Sequence, residues 1–292
     1  MPQMLARRAV PLLLALIGLG CDSADAPSPP PSPAKPLELP KPDPTPQRPA
    51  TFSTSDGVAL TGDLYLKDEG APAAILVHRQ HGDRSEFSGL VARLREAPMR
   101  YTVLSFDRRG HGASKGLDGA PSVEAMTLDV EAAISHIREA TGGKSPSVVL
   151  VGSSLGAALV SRAAFAEPKV TALALISPGA ALEGVDVYRP YAEVRNLPTF
   201  IACANKDNVC REPSDALGRM AMAGTLKRYD VDAHGAARLA EHAPDFWRDV
   251  ESWLMRVYDE APRERRSLYF APGKEPASER GKKRAPRASV QR

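Results

Sequence analysis

Between residues 50 and 261 the spacing of hydrophobic positions changes several times, and each change marks an element. TFSTSDGVALTGDLYLK alternates apolar and polar residues on either side of Asp56-Gly57, which predicts a hairpin with one buried face. AAILVH at 73–78 is instead an unbroken apolar run, as a strand covered on both faces requires. FSGLVARLREA (87–97) has helical spacing, YTVLSFD (101–107) reads as strand, and VEAMTLDVEAAISHIREA (123–140) as amphipathic helix. SVVLVG (147–152) predicts a strand followed at once by a helix, SLGAALVSRAAFA (154–166). VTALALIS (170–177) and TFIACA (199–204) are strands, DALGRMAMA (215–223) a helix, LKRYDV (226–231) a strand and DFWRDVESWLMRVY (245–258) a helix. Such alternation predicts an α/β fold: a mostly parallel sheet with helices on both faces, made mixed by the opening hairpin.

The ends of the chain follow other rules. Arg7 and Arg8 precede the short apolar stretch AVPLLLALIGLG and then Cys21, the layout of an export signal over 1–21. Small residues before the cysteine resemble a bacterial lipoprotein signal, with Gly18 where such signals usually carry Leu. That resemblance implies lipidation of Cys21, while a simple cleaved signal or an uncleaved anchor stays open. Residues 22–49 are so rich in proline that ladders and helices are excluded, and an extended spacer is expected. Residues 262–292 hold ten Lys/Arg against three Asp/Glu and few apolar side chains, which reads as a disordered basic tail. The net charge of +3 therefore gives no reason to expect nucleic-acid binding by the folded part, residues 50–261.

Chemistry concentrates at VVLVGSSLGAALV. A Gly-x-Ser-x-Gly between a strand and a helix is the setting of a nucleophile elbow, with Ser154 at the centre and Ser153 a bystander. The helix starting there points free N–H groups at any negative charge that forms on the turn. No Lys or longer glycine pattern follows, which argues against a phosphate loop. A serine needs a base. Asp207, in the loop after TFIACA, and His234, in DAHG after LKRYDV, both lie at carboxyl ends of strands, where open α/β sheets gather their sites. His234 would take the Ser154 proton and Asp207 would hold its tautomer. Asp230 and Asp232, on or beside the same strand, remain open as neighbours of His234. His242 reads as a surface residue in or near the last helix. Asp107, in SFDRRGHGAS, reads as structural, pairing nearby backbone or arginine. An oxyanion would need two backbone donors: Leu155, and Gln80 or alternatively Arg79 in the loop VHRQHGDRSEF. His78 and His81 lack partners at zinc-like spacing, so no metal and no cofactor are expected, and His81 is placed at the pocket mouth.

VGSSLG, SFDRRGHGAS, NKD and DAHG, in this order, resemble the α/β-hydrolase superfamily over roughly residues 52–258. Within it the chain is most similar to small bacterial serine hydrolases of the dienelactone-hydrolase and esterase/lipase-like type. The resemblance implies an α/β-hydrolase fold, and Arg79 departs from it by standing where relatives with a His-Gly pair carry Gly. About twenty residues separate strand 170–177 from strand 199–204, too few for a sizeable lid domain. Cys203 and Cys210 bracket Asp207. Two readings stay open: a disulfide stapling the acid loop, or a buried strand cysteine and a free thiol. The expected protein is an exported, membrane-tethered serine hydrolase of a small-molecule carboxylic ester, working through an acyl-enzyme. Two alternatives remain: a catalytically silent binding module of the envelope, and a peptidase or thioesterase using the same residues.

Overall fold

The structure, a computed structural model, describes residues 47–260 apart from 68, 69, 96–100, 115, 117–120 and 146. The signal with Cys21, nearly all of the proline-rich stretch and the basic tail lie outside the described residues.

Strands β1 (Gln47–Ser53) and β2 (Ala59–Tyr65) form the opening hairpin, paired antiparallel from Gln47↔Tyr65 to Ser53↔Ala59. Residues 47–49, placed in the linker by composition, thus pair with Asp63–Tyr65 in the sheet. Thr54 closes the turn, its Oγ1 accepting the Val58 N–H at 2.9 Å. Then come β3 (Ala73–Val77), a 3₁₀ turn at Arg84–Phe87, α1 (Ser88–Arg95), β4 (Thr102–Asp107), α2 (Val123–Ala140), β5 (Val148–Ser153), α3 (Leu155–Ala166) and β6 (Val170–Ile176). A two-residue hairpin, β7 (Ala181–Leu182) and β8 (Val185–Asp186), leads to α4 (Tyr188–Val194). The chain continues through β9 (Thr199–Ala204), α5 (Arg211–Met220), β10 (Gly224–Tyr229), α6 (Ala236–His242) and α7 (Phe246–Glu260).

Eight strands make one sheet in the order β1-β2-β4-β3-β5-β6-β9-β10, with β2 antiparallel to both of its neighbours and every pair from β4 to β10 parallel. The unbroken apolar runs are explained by the two cores. Ile75 and Val77 of β3 face the side covered by α2 and α3, while Ala74 and Leu76 face the side of α1, α6 and α7. All five β3 residues are fully buried. Each Leu or Ile taken out of water in this way contributes roughly 1.5–3 kcal/mol, so alternating polar residues would have no place in these strands.

Chain order decides where a site can form. From β3 the chain moves to β4 on one side, then returns past β3 to β5 on the other. The connections diverge there, leaving a crevice beyond the carboxyl ends of β3 and β5. The β6–β9 connection holds only β7, β8 and α4, so no inserted lid domain covers that crevice. Helix α5 starts at Arg211, four residues before the expected 215, because Pro213 falls in its first turn, where the missing N–H has no intrahelical partner to lose. The two-turn α4 and α6 escape periodicity altogether, and His242 ends α6, exposed and near the last helix as expected. Among the described residues no helix is long and apolar enough to cross a membrane.

Candidate active site

Ser154 stands between β5 and α3 with φ 53° and ψ −115°, a conformation that costs a non-glycine residue about 1–3 kcal/mol. Its surroundings hold it there. The Ser154 N–H donates to Ile176 O at 2.8 Å and its carbonyl accepts the Ala157 N–H at 3.0 Å. Both flanking glycines are steric requirements: a Cβ on Gly152 would lie 2.3 Å from Gly156 O, and one on Gly156 would lie 2.2 Å from Val77 O. The helix can therefore start directly over β3. Leu155 is its first residue, so its N–H is among the donors without an intrahelical acceptor.

The two other candidates meet this serine. Ser154 Oγ lies 2.8 Å from His234 Nε2, and His234 Nδ1 lies 2.6 Å from Asp207 Oδ2. A carboxylate accepts only, so Nδ1 carries the proton and Nε2 is left to accept from the serine. Asp207 is 6% exposed, and its second oxygen accepts the N–H groups of Val209 (2.9 Å) and Cys210 (3.4 Å). Cys203 and Cys210 are disulfide-bonded with Cα atoms 6.0 Å apart, closing the loop that carries Asp207. His234 is followed by Gly235, whose N–H donates to Ser177 Oγ at 3.0 Å. Asp230 and Asp232 are exposed.

The loop after β3 is organised by three buried groups. Nε2 of the buried His78 accepts the Arg108 N–H at 3.0 Å, which makes Nδ1 the donor to Arg79 O at 2.7 Å. Burial, reinforced by the neighbouring Arg108 charge, pushes this imidazole down to about 3, so it stays neutral and cannot bind a metal while both nitrogens are engaged. Arg108 Nη2 donates to the same carbonyl at 3.1 Å, and burial pushes this guanidinium down to about 10. The third group is Glu86, whose side chain is 3% exposed. It accepts the Arg79 N–H at 2.8 Å, the Ser153 hydroxyl at 2.8 Å and the Ala236 N–H at 3.0 Å. The Arg79 N–H is therefore committed, whereas among the described residues no partner takes the Gln80 N–H. The Gln80 side chain reaches Glu183 in the β7–β8 turn. His81 is exposed, with φ 55°.

One sequence reading changes here and one holds. Ser153 is no bystander: it bonds Glu86 and accepts the Ala236 N–H at 3.0 Å. Glu86 itself carries no local signal, because a glutamate in a short 3₁₀ turn looks like any solvated loop residue. Asp107 is structural, bonding Arg84 and accepting the Ala113 N–H at 2.8 Å. Among the described residues the metal-like cluster is Cys203, Asp207 and Cys210, but its sulfurs are joined to each other and its carboxylate to His234.

Comparison with known proteins bears on the fold that carries this site. The model of the family described as "Serine aminopeptidase, S33" matches residues 70–195, a span that holds the loop after β3 and Ser154 but neither Asp207 nor His234. The esterase Pf2001 of Pyrococcus furiosus superposes with a TM-score of 0.61 at 18% identity, over 73% of this chain and 91% of that one. The chain has the α/β-hydrolase fold. In sequence, "Uncharacterized protein YfhR" of Salmonella typhi is 33% identical over 111 residues, 36% of each chain. The "sn-1-specific diacylglycerol lipase ABHD11" of Xenopus tropicalis is 34% identical over 113 residues, covering 39% of this chain and 33% of that protein. The matched stretch thus spans about a third of the length of these curated relatives.

Proposed function

We propose that this protein is a serine hydrolase of small carboxylic esters acting through an acyl-enzyme. The observation that carries the reading is the run of contacts from Ser154 Oγ to His234 Nε2 (2.8 Å) and from His234 Nδ1 to Asp207 (2.6 Å), set on a strained elbow at a helix start. In this reading Ser154 attacks the ester carbonyl as Nε2 takes its proton, and the imidazolium is stabilised by Asp207. The oxyanion is received by the N–H groups of Leu155 and Gln80. His234 then returns the proton to the leaving alcohol, and water repeats the sequence to release the acid. The family description and the two named enzymes, an esterase and a lipase, support hydrolysis without choosing the bond. An aminopeptidase would want a carboxylate free to hold the substrate ammonium. In the loop after β3 and the turn facing it, Glu86 is engaged by three donors and Glu183 by Gln80, so neither offers a free carboxylate.

The test is labelling of the domain from about residue 47 with a fluorophosphonate probe, followed by esters, thioesters and aminoacyl amides. Labelling is expected in the wild type and absent only in Ser154→Ala. A folded wild-type domain that takes no label would end the hydrolase reading.

Tethering through a lipidated Cys21 belongs to the same proposal and would put the enzyme on a bacterial envelope membrane. The full chain expressed in a bacterial host should partition with detergent and yield a diacylglyceryl-modified peptide. Cys21→Ala should abolish both. A wild-type chain that stays in the aqueous phase would remove the anchor.

A further inference from the structure

We propose that Glu86 is a positioning residue that clamps together the three segments carrying the reacting groups. Each of its three contacts lands beside one of them. The Arg79 N–H precedes Gln80 in the loop after β3. The Ser153 hydroxyl precedes Ser154 at the elbow. The Ala236 N–H, which also reaches Ser153 Oγ at 3.0 Å, lies two residues beyond His234. These segments belong to different parts of the chain, with sequence separations from Glu86 of 7, 67 and 150. Glu86 is itself anchored, since the 3₁₀ turn that holds it is capped by Asp83, which accepts the Ser85 N–H at 2.8 Å. This role presupposes that Ser154 is the nucleophile; the clamp itself does not.

The chemistry calls for a carboxylate. All three partners donate, and only an ionised acid offers acceptors on both oxygens with no hydrogen of its own. Arg79 Nε adds a long contact, 3.9 Å from Oε1. A glutamine has nearly the same shape but presents an NH₂ on one side. If its oxygen keeps Ser153 and Ala236, the NH₂ meets the Arg79 N–H, donor against donor. If it turns over, the NH₂ faces the Ala236 N–H, donor against donor, and the Ser153 hydroxyl loses its acceptor instead. Either way one segment is released by a substitution that creates no cavity. A second effect protects the oxyanion site: by holding the Arg79 N–H, Glu86 fixes the peptide before Gln80, so that the Gln80 N–H is left as the donor toward Ser154.

Glu86→Gln, Ser153→Ala and the double variant test this in the full chain with two independent readouts. For Glu86→Gln, kcat on a small nitrophenyl ester and the rate of fluorophosphonate labelling should both fall about 30- to 100-fold, with KM changed less than about threefold, because displacement of reacting groups by about 1 Å costs on that order. Ser153→Ala should lose about tenfold. The double variant should be no worse than about twofold below Glu86→Gln, since both remove the same clamp. In amide exchange, Glu86→Gln should lose protection at residues 79–82 and 234–237 while β5 stays protected. Glu86→Gln labelling within twofold of wild type would overturn the positioning role. So would protection lost evenly across β3, β5 and β9, which would mark Glu86 as a general fold support. A wild type that takes no label, combined with exchange that rises only at those two segments, would sink the hydrolase reading and leave the clamp standing.

Discussion

Asp207→Asn should cut ester turnover by roughly 10⁴-fold with the fold unchanged, and the contacts around this carboxylate say why. Oδ1 accepts from the Val209 and Cys210 N–H groups, so in the variant the amide oxygen occupies that side. The NH₂ is then aimed at His234 Nδ1, now 2.6 Å from Oδ2. Nδ1 must accept, the ring proton moves to Nε2, and Nε2 can no longer take the proton of Ser154. The loss is one of tautomer rather than structure, so steady-state turnover and labelling should fall together while circular dichroism and the melting temperature hold. Activity within tenfold of wild type would mean that the partner of His234 is another acid, and Asp207 would lose its assigned role. Asp230 and Asp232 supply the controls: both are exposed, and their Asn variants should be near wild type.

The largest effect on stability is expected at Asp129. Arg109 and Asp129 are both buried, at 1% and 0% exposure, and meet through Nε–Oδ1 at 2.6 Å, with the Arg109 N–H on Oδ2 at 2.9 Å. The outer edge of the guanidinium is paired with Asp56 at 2.7 and 3.0 Å. Removing one member of a buried pair leaves the other charge out of water without its partner, at a cost of about 3–5 kcal/mol. Asp56 still faces Arg109 in Asp129→Ala, so the lower value, about 3 kcal/mol, is expected. For a domain of this size that is a fall of roughly 6–12 °C in melting temperature. Urea unfolding of wild type and Asp129→Ala checks it, and a loss below about 1 kcal/mol would show the pair to be weakly coupled to the fold. Asp129 lies on α2 while Arg109 follows β4, and Arg108 in the same turn holds His78 and Arg79 O. Activity should therefore decline along with stability, well before the midpoint of unfolding.

The reach of the sequence differs from element to element for a physical reason. Helix α2 and strand β9 have the bounds that periodicity predicts, Val123–Ala140 and Thr199–Ala204. Their signal is local: the 3.6-residue period of α2 records its buried face, and the unbroken apolar run of β9 records burial on both faces. The elbow is equally legible, because the close approach of Gly156 to Val77 O and of Gly152 to Gly156 O forbids any side chain there. Ser154, Asp207 and His234 can be nominated from their places after strands, since a parallel sheet collects those ends at one edge. The short α4 and α6 and the early start of α5 are not legible in this way. Two turns give too few repeats, and a proline early in a helix is read as a barrier although it costs nothing there.

Strand and helix order, the parallel sheet and the position of the elbow serine were thus determined by the sequence alone, through periodicities and steric exclusions acting over a few residues. Pairing across long separations belonged to the tertiary structure. The joining of Cys203 to Cys210 rather than a free thiol depends on two Cα atoms standing 6.0 Å apart. Whether Gln80 or Arg79 has a free N–H depends on Glu86, and the work of Ser153 depends on the same carboxylate. A hydrogen bond is specific to within tenths of an ångström and leaves no periodic trace along the chain. Glu86 looks like a solvated loop residue until the fold closes water away from it and brings three donors to its two oxygens.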